Sequence, residues 1–323
     1  MSKKKIGIVG GAGYVGGEAI RLILNHPQCE IEFVTSRSQE GKNISDVHPD
    51  LIGQTQLKFT AEYNTNVDVI FICMGHGQTV KYLEKVLVPE ECVVIDLSRD
   101  FRLKEDAREF IYGLCELNKD EIKRSHRIAN PGCFATCIQL GLLPFAQEGL
   151  LTNEIHITAI TGSTGAGQKP LPTTHNSWRN NNISIYKAFT HQHLGEIKQS
   201  IIQLQGGLNI PINFIPMRGS FTRGIFSNIY FNCSESIATI FELFESYYGD
   251  SPFVHISTDP ISVKQVVNTN NALIHISKHD GKVRVESIID NLLKGAAGQA
   301  VQNMNLIMGW SEDLGLKLKA TAF

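Results

Sequence analysis

From Gly10 to Gly16 the chain reads GGAGYVG, and this run decides how the first part of the sequence folds. The apolar residues before it, from Lys5, have the pattern of a buried strand, and Tyr14–Asn25 has helical spacing. Glycines at Gly10, Gly13 and Gly16 permit a tight turn, close approach of the backbone to a pyrophosphate, and close strand–helix packing. Such a turn between a strand and a helix is typical of a dinucleotide-binding unit, so we expect one here.

Strand and helix patterns then alternate up to Ala129. Ile31–Arg37 predicts a second strand, and Val67–Met74 and Cys92–Ser98 are nearly continuous apolar runs. Such runs are expected when both faces of a sheet are covered. Because Thr79–Leu87 lies between them at helical spacing, the sequence predicts an α/β fold with a Rossmann-type, doubly wound parallel sheet.

The character of the sequence changes after Cys133. Glycine, serine, threonine and asparagine are frequent between Gly162 and Thr190, and Asp280-Gly281 is a hairpin signal. The predicted elements are the strands Glu154–Gly162, Ile225–Asn232, Leu273–Ser277 and Val283–Ile289 and the helices Phe134–Ala146, His193–Gln205 and Gly295–Met308. This pattern predicts a second domain of α+β type, and the last helix could return to the first domain.

Composition argues against several classes of partner. With 323 residues and a formal net charge of −2, the chain has no basic field for nucleic acid or an anionic membrane. No apolar run approaches the roughly 18 residues of a membrane span, and no leader pattern follows Met1. The seven cysteines form no CxxC pair and do not indicate a disulfide framework. We therefore expect a cytoplasmic protein whose partner is a small molecule.

The end of the second predicted strand indicates which cofactor binds. NAD-dependent proteins usually carry an acidic residue there, which holds the ribose 2′-hydroxyl. Here the end of the strand reads Ser36, Arg37 and Ser38, and the first acidic residue after them is Glu40. A guanidinium and two hydroxyl groups suit a 2′-phosphate, so NADP (as NADPH) is preferred. The alternative is that Arg37 is an ordinary solvated loop residue.

A second informative run is NPGC, from Asn130 to Cys133. The Pro-Gly pair predicts a tight turn that places Cys133 at the start of the apolar helix that follows. Unpaired N–H groups at a helix start favour negative charge, so this thiol should ionise more easily than a free one. Attack of the thiolate on an activated carbonyl gives a thioester, which hydride reduces to an aldehyde. The alternative is a small apolar residue that caps a buried helix.

Thioester chemistry also needs an acid/base, which takes the thiol proton and protonates the departing oxygen. His191 and His193 are the predicted pair, because they follow the long polar stretch near Tyr186 and Lys187. The sequence does not decide between them, and its place at the helix start slightly favours His193. The alternatives are a structural role and metal binding, and the latter lacks a third ligand at suitable spacing.

Other polar groups in the second half are candidates to bind a ligand. The run STGAG, which includes Ser163 and Gly165, would supply backbone N–H groups, and Lys169 would supply charge for an anion. Arg218 and Arg223 could clamp a carboxylate or a phosphate. The alternatives are a flexible surface loop and solvated arginines.

Together these runs resemble those of one family, the N-acetyl-gamma-glutamyl-phosphate reductases. The resemblance covers essentially the whole chain, and the combination is highly specific. The matching runs are GGAGYVG (10–16), DLS (96–98), DFRL (100–103), YGL (112–114), ELN (116–118), ANPGC (129–133), Ser163 with GAG (165–167), HQH (191–193) with EI (196–197), RGI (223–225) and KGAAGQAVQNMN (294–305). The resemblance implies NADPH-dependent reduction of an N-acylglutamyl 5-phosphate to the semialdehyde, in arginine biosynthesis.

The resemblance also implies a domain organisation and further site residues. An NADP-binding Rossmann domain would comprise residues 1–132 and 295–323, and a catalytic α+β domain that also mediates dimerisation would comprise 133–294. The chain would then form a homo-oligomer, a dimer or a tetramer. Residues implied at the cofactor are Tyr14, Val15 and Asn303, and residues implied at the substrate are Asn130, Arg102 and Tyr186, besides Lys169, Arg218 and Arg223.

Five residues depart from the family pattern: Arg99, Cys115, Phe134, Thr164 and Gln168. None removes a catalytic group, but the departures leave the acyl group open between acetyl and succinyl. One alternative is a related acyl-phosphate reductase that acts on aspartyl or aminoadipyl phosphate. The other is a non-catalytic NADP-binding sensor, against which the complete Cys/His set argues.

Overall fold

The computed structural model describes residues 2–322 and divides the chain into two compact units. The first unit comprises the residues up to Pro131 together with Ala296–Lys317. The second comprises Gly132–Gly295 together with the residues from Leu318 onward. Each unit is built on its own seven-stranded sheet.

The sheet of the first unit is entirely parallel. Its strands are β1 (Lys4–Val9), β2 (Cys29–Thr35), β3 (Phe59–Thr60), β4 (Val69–Ile72), β5 (Val93–Asp96), β6 (Ile111–Tyr112) and β7 (Arg127–Ala129). They lie in the order β3-β2-β1-β4-β5-β7-β6. The order reverses between β1 and β4, and in sheets of this type such a switch opens a ligand crevice at the carboxyl ends of the strands.

Helices pack on this sheet because its central strands are apolar on both faces. All residues of β4 and β5 are buried. The helices of the unit are α1 (Tyr14–Leu24), α2 (Ile44–Val47), α3 (Thr79–Leu83), α4 (Cys115–Lys123) and α9 (Gly298–Ile307). A Cβ atom at Gly16 would lie 2.6 Å from the Cα of Gly11, so only glycine lets α1 lie this close to the turn.

The sheet of the second unit is mixed. Its strands are β8 (Ile155–Thr161), β9 (Ser184–Ile185), β10 (Ile212–Arg218), β11 (Ile225–Asn232), β12 (Val254–Ser257), β13 (Ala272–His279) and β14 (Lys282–Ile289). They lie in the order β12-β13-β14-β11-β8-β10-β9. Strands β8 and β10 are parallel, as are β12 and β13, and the other four pairings are antiparallel.

The helices of the second unit are α5 (Cys133–Gln147), α6 (Asn176–Arg179), α7 (His193–Gln205) and α8 (Ile237–Tyr248). Helices α5 and α8 bury the apolar side of this sheet, and α7 packs against α5. Phe145 of α5 packs edge-on against Phe231 of β11 and Phe244 of α8, with ring centroids 5.0 and 5.2 Å away. Along β8 and β11, buried residues alternate with more exposed ones, so one sheet face lies on the helices and the other does not.

The predicted fold class is confirmed, and several elements have the predicted bounds. The spans His193–Gln205 and Ile225–Asn232 agree residue for residue, and Asp280 and Gly281 form the predicted hairpin turn with φ of 46° and 74°. Within residues 2–322, no helix combines the length and the apolar character that a membrane crossing requires.

Some details of the observed elements differ from the sequence-based expectation. Helix α3 ends at Leu83 rather than at Leu87, whose side chain is exposed and adds no packing for another turn. Leu293–Ala297 forms a π-helical turn before α9 begins. The residues from Leu318 group with the second unit, in which the Thr321 N–H donates to the Val267 carbonyl at 3.3 Å.

Candidate active site

The glycine-rich turn lies at the carboxyl end of β1, beside a cavity of about 320 Å³. Gly10 has a φ of 82°, which side chains disfavour, and its N–H donates to the Thr35 carbonyl at 3.1 Å. Gly13 caps the N-terminus of α1, and no heavy atom lies within 4 Å of where its Cβ would be. The turn therefore leaves backbone open at a helix N-terminus, which is the chemistry that a pyrophosphate requires.

The same cavity carries the groups predicted to select the cofactor. Ser36 and Arg37 line it, together with Lys81 and Lys85. Arg37, Lys81 and Lys85 are exposed, and Ser36 lies 3.4 Å from the Ser38 hydroxyl. Three cations and a hydroxyl group at one cavity fit the phosphates of a dinucleotide. Tyr14 and Val15 form the first turn of α1.

Three other predicted site residues form a polar network inside the first unit. Arg102 donates from Nε to the Asn130 carbonyl at 2.8 Å, and it is buried. Asn303 is fully buried, donates to the Gly113 carbonyl and to Oδ1 of Asn130, and accepts from the Cys115 thiol at 3.1 Å. These contacts fix the end of β7 just before the NPGC turn. They also give the Cys115 thiol a hydrogen-bond acceptor.

Cys133 is the first residue of α5, as predicted, and its side chain is half-buried. Gly132 caps the helix with extended backbone (φ −72°, ψ 147°), and the Gly132 N–H donates to Oε2 of Glu196 at 2.8 Å. The start of a 15-residue helix favours negative charge on the sulfur. A Cβ atom at Gly295 would lie 2.8 Å from the Cβ of Cys133, so the backbone at Gly295 packs directly against the thiol-bearing residue.

His191 lies in an aromatic cage. The rings of Phe134, Tyr186 and Phe214 stand edge-on to it, with centroids 5.5, 5.7 and 5.5 Å away. Its Nδ1 accepts the backbone N–H of His193 at 3.2 Å, which requires an unprotonated Nδ1. Burial, and then the neighbouring His193, lower the pKa of His191 to about 3. His191 is therefore neutral near pH 7 and cannot act as the acid form.

His193 begins α7 and is buried beside a carboxylate. Its Nε2 lies 3.9 Å from Oε1 of Glu196, one turn further along the helix, and Glu196 is 3% exposed. Glu196 therefore joins the start of α5 to this imidazole. Across residues 2–322, no group of three or more His, Cys, Asp or Glu side chains is arranged to hold a metal ion.

Two predicted arginines lie in different surroundings. The Arg218 guanidinium is 4.6 Å from the centroid of the Tyr186 ring. Arg223 donates from Nε to Oδ2 of Asp290 at 3.0 Å, and that carboxylate is fully buried. Charge at Arg223 is thus compensated within the protein, whereas Arg218 faces an aromatic ring.

The STGAG loop differs from the expectation. The N–H groups of Ser163 and Thr164 donate to the carbonyls of Phe221 and Thr222, and the N–H of Gly165 donates to the Gly162 carbonyl at 3.3 Å. These donors are engaged inside the unit and are not offered to a ligand. Lys169 is exposed in the following segment.

Sequence reasoning missed three residues of this site: Glu196, Asp290 and Arg179. Glu196 had a detectable signal, because it stands three residues after His193 on a predicted helix and therefore on the same face. Asp290 and Arg179 had no signal in the sequence. Their hydrogen-bond partners, Arg223 and Arg218, lie 67 and 39 residues away along the chain.

Two family models match the chain. Residues 5–125 match a model described as "Semialdehyde dehydrogenase, NAD binding domain". Residues 133–291 match one described as "Semialdehyde dehydrogenase, dimerisation domain". The first agrees with a nicotinamide cofactor at the glycine-rich turn.

Solved structures of low sequence identity share the fold. Aspartate semialdehyde dehydrogenase II from Vibrio cholerae superposes with a TM-score of 0.73 at 17% identity, covering 96% of this chain and 99% of that one. The enzyme from Candida albicans, solved with NADP, gives a TM-score of 0.67 at 15% identity, covering 97% and 100%.

Curated relatives are far more similar in sequence. A protein named N-acetyl-gamma-glutamyl-phosphate reductase from Phocaeicola vulgatus is 54% identical over 320 residues, covering 99% of each chain. One of the same name from Flavobacterium johnsoniae is 50% identical over 322 residues, covering 98% of this chain and 99% of its own. Near-complete coverage at this identity, together with the two domain matches, shows that the chain belongs to the N-acetyl-gamma-glutamyl-phosphate reductase family.

Proposed function

We propose that this protein reduces an N-acylglutamyl 5-phosphate to the corresponding semialdehyde and phosphate with NADPH, in arginine biosynthesis. The observation that carries the proposal is the set formed by Cys133 at a helix start and the buried His193–Glu196 pair, joined through the Gly132 N–H. Family membership supplies the substrate class, since the relatives bear the name of that activity.

The first chemical step is acyl transfer to Cys133. His193 takes the thiol proton, the thiolate attacks the acyl carbon, and the bond from that carbon to the phosphate oxygen breaks. The proton on His193 passes to the departing phosphate oxygen. Glu196 stabilises the imidazolium that exists between these two transfers, because its carboxylate is buried beside the ring.

The second step is reduction of the thioester on Cys133. When bound, the reduced nicotinamide supplies the hydride. Addition to the thioester carbonyl gives the thiohemiacetal anion. Its collapse re-forms the C=O bond, breaks the C–S bond, and releases the aldehyde and the thiolate, which the helix start favours. Uptake of one proton from solvent restores the thiol for the next cycle. His191 does not exchange protons in this scheme. It positions His193 through the backbone N–H that it accepts.

We further propose that the cofactor is NADP rather than NAD. Arg37 with Lys81 and Lys85 surrounds the cavity at the end of β2, and Glu40 is the first acidic residue after that strand. The guanidinium and ammonium groups suit a 2′-phosphate. Gly13 would offer open backbone to the pyrophosphate, and Gly10 and Gly16 would shape the turn that binds it. Tyr14 and Val15 would contribute backbone N–H groups at the start of α1.

The substrate would bind in the second unit. Three side chains would face it there, those of Tyr186, Arg218 and Arg223, and Asp290 would hold Arg223 in place.

The chain would form a homo-oligomer through its dimerisation domain. The sheet of that domain has one face that is not packed on helices.

The reverse reaction tests the function. Purified protein should reduce NADP when given N-acetyl- or N-succinyl-glutamate semialdehyde, and only when phosphate is added. Phosphate-independent reduction, or activity confined to aspartate semialdehyde, would contradict the assignment. The ratio of kcat/KM for the two N-acyl substrates identifies the acyl group.

A further inference from the structure

Arg179 and Arg218 are neighbours in the second unit. Arg179 ends α6 and donates from one terminal nitrogen to the Arg218 carbonyl and from the other to the Thr173 carbonyl, each at 3.0 Å. Its side chain stacks on Trp178, with the guanidinium carbon 4.8 Å from the ring centroid. Only 8% of Arg179 is exposed. The guanidinium is thus held in a fixed place.

The two guanidinium groups of this pair have neutral partners and, among residues 2–322, no carboxylate counter-ion. Arg179 donates to two backbone carbonyls, Arg218 interacts with Tyr186, and the Nε of each is buried without a hydrogen-bond acceptor. Burial and then the like charge of Arg218 lower the pKa of Arg179. A buried charge without a counter-ion is unfavourable. The Arg223–Asp290 pair, in the same unit, shows how this protein compensates an arginine that has a structural partner.

The pair belongs to the side-chain network that contains the nucleophile. Arg218 lies against Tyr186, and the Tyr186 ring stands 5.7 Å from the ring of His191. Burial raises the pKa of Tyr186, and the negative charge of Cys133 raises it further, so Tyr186 is within electrostatic reach of that sulfur. An anion at the two arginines would therefore lie one aromatic side chain away from the reacting thiol.

We infer that Arg179 and Arg218 form an oxyanion subsite that binds a carboxylate or phosphate group of the substrate. The inference rests on the proposed function for the identity of that substrate. An N-acylglutamyl phosphate carries an α-carboxylate and a phosphate, and an N-succinyl group adds a third anionic group. The planar guanidinium fork matches the oxygens of each of these groups.

Kinetics in the oxidative direction separate the possible ligands, because phosphate and the semialdehyde have their own KM values. Arg179→Gln should raise one of these KM values about ten-fold or more, with KM for NADP unchanged. A rise for phosphate assigns the phosphate group, and a rise for both semialdehydes assigns the α-carboxylate. A rise for the N-succinyl substrate alone assigns the acyl carboxylate. Arg124→Gln, which removes an exposed arginine from the C-terminal cap of α4, is the matched control.

A binding measurement makes the test independent of turnover. Inorganic phosphate, N-acetyl-L-glutamate and N-succinyl-L-glutamate are the probes, and the midpoint of thermal unfolding is the readout. At least one probe should stabilise the unaltered protein and the Arg124→Gln variant but not Arg179→Gln. Arg218→Gln should reproduce the loss, which keeps the test valid if Arg179→Gln folds poorly.

The outcomes distinguish the two proposals. If all KM values and probe shifts are the same in folded Arg179→Gln and Arg218→Gln as in the unaltered protein, the subsite is wrong while the function stands. If the unaltered protein shows no NADP reduction but binds a probe through Arg179, the subsite stands and the proposed function is wrong.

Discussion

The Nε2 atom of His193 lies 3.9 Å from Oε1 of Glu196, and both side chains are more than nine-tenths buried. The other oxygen of the same carboxylate accepts the N–H of the residue before the nucleophile. A displacement of Glu196 would therefore disturb the acid/base and the nucleophile together. In the proposed mechanism, this relationship gives different tasks to the two histidines that the sequence left undecided.

Replacement of each histidine by asparagine should separate those tasks. His193→Asn removes the group that exchanges protons, so kcat should fall about 10²- to 10⁴-fold, and the near-neutral limb of the pH–rate profile should disappear. His191→Asn should keep that limb, since the pKa of His191 is about 3. Initial rates between pH 5 and 9 give both results. A near-neutral limb that vanishes only in His191→Asn would reverse the assignment.

Burial of neutral His191 should also make the protein sensitive to acid. Its pKa falls from the ordinary 6.5 to about 3 on folding, so between these values the unfolded chain binds one more proton than the folded one. Stability should therefore decrease as the pH falls through this window, by about 1.4 kcal/mol per pH unit from this residue. Urea unfolding of the native protein and of His191→Gln, from pH 7 to pH 4, should show a shallower dependence in the variant. Equal slopes would mean that His191 is protonated when folded.

The two cysteines of α5 should differ sharply. Cys133→Ser retains size but loses the nucleophile, so turnover should nearly vanish while NADPH still binds, as followed by cofactor fluorescence. Cys137 is fully buried, donates to the Ser287 carbonyl at 3.1 Å, and burial raises its pKa to about 12. Cys137→Ser should keep most of the activity. Substantial turnover in Cys133→Ser would exclude a thioester.

Arg37 should select the cofactor. A charge-assisted contact with the 2′-phosphate contributes roughly 1.5–3 kcal/mol, so Arg37→Ala should raise KM for NADPH about ten-fold or more and leave that for NADH nearly unchanged. Arg124→Ala, at the exposed C-terminal cap of α4, is the control for loss of one positive charge. Equal weakening of both cofactors would show that Arg37 does not select between them.

Gly295 should tolerate no side chain. The added methyl group of Gly295→Ala would meet Cβ of Cys133 at 2.8 Å, so we expect a loss of about 1–3 kcal/mol in stability and a fall in kcat with KM for NADPH preserved. Gly207→Ala is the control, because no heavy atom lies within 4 Å of its Cβ position and its φ is not positive. If both variants were as stable and active as the native protein, the packing at Cys133 would be looser than the structure shows.

Sequence patterns predicted the fold well where local signals were strong. The glycine turn, the buried strands β4 and β5, and helices α1 and α7 all follow from periodicity and capping over short stretches. Strand β10 (Ile212–Arg218) was not among the predicted strands, because proline stands inside it at position 216 and interrupts the pattern. Helix α4 was also missed, since most of its side chains are polar or charged and few of them face the core.

The site was predictable only as far as its residues are close in sequence. Cys133, His191 and His193 stood out through their neighbours, but the contact of Gly132 with Glu196 spans 64 residues and that of Arg223 with Asp290 spans 67. Whether a charged side chain is solvated or buried depends on such tertiary partners. The sequence therefore named Arg218 and Arg223 as equivalent candidates, and only the structure separates a compensated arginine from an uncompensated one.

The aromatic cage of His191 also supplies a spectroscopic reporter of the catalytic centre. Because three rings stand edge-on around it, its imidazole hydrogens should resonate away from those of solvent-exposed histidines. Their frequencies should not change as pH crosses neutrality, since this ring does not titrate there. Proton NMR of histidine-labelled protein should therefore resolve the His191 ring signals. A change in their chemical shift on ligand binding would report a rearrangement of Phe134, Tyr186 or Phe214.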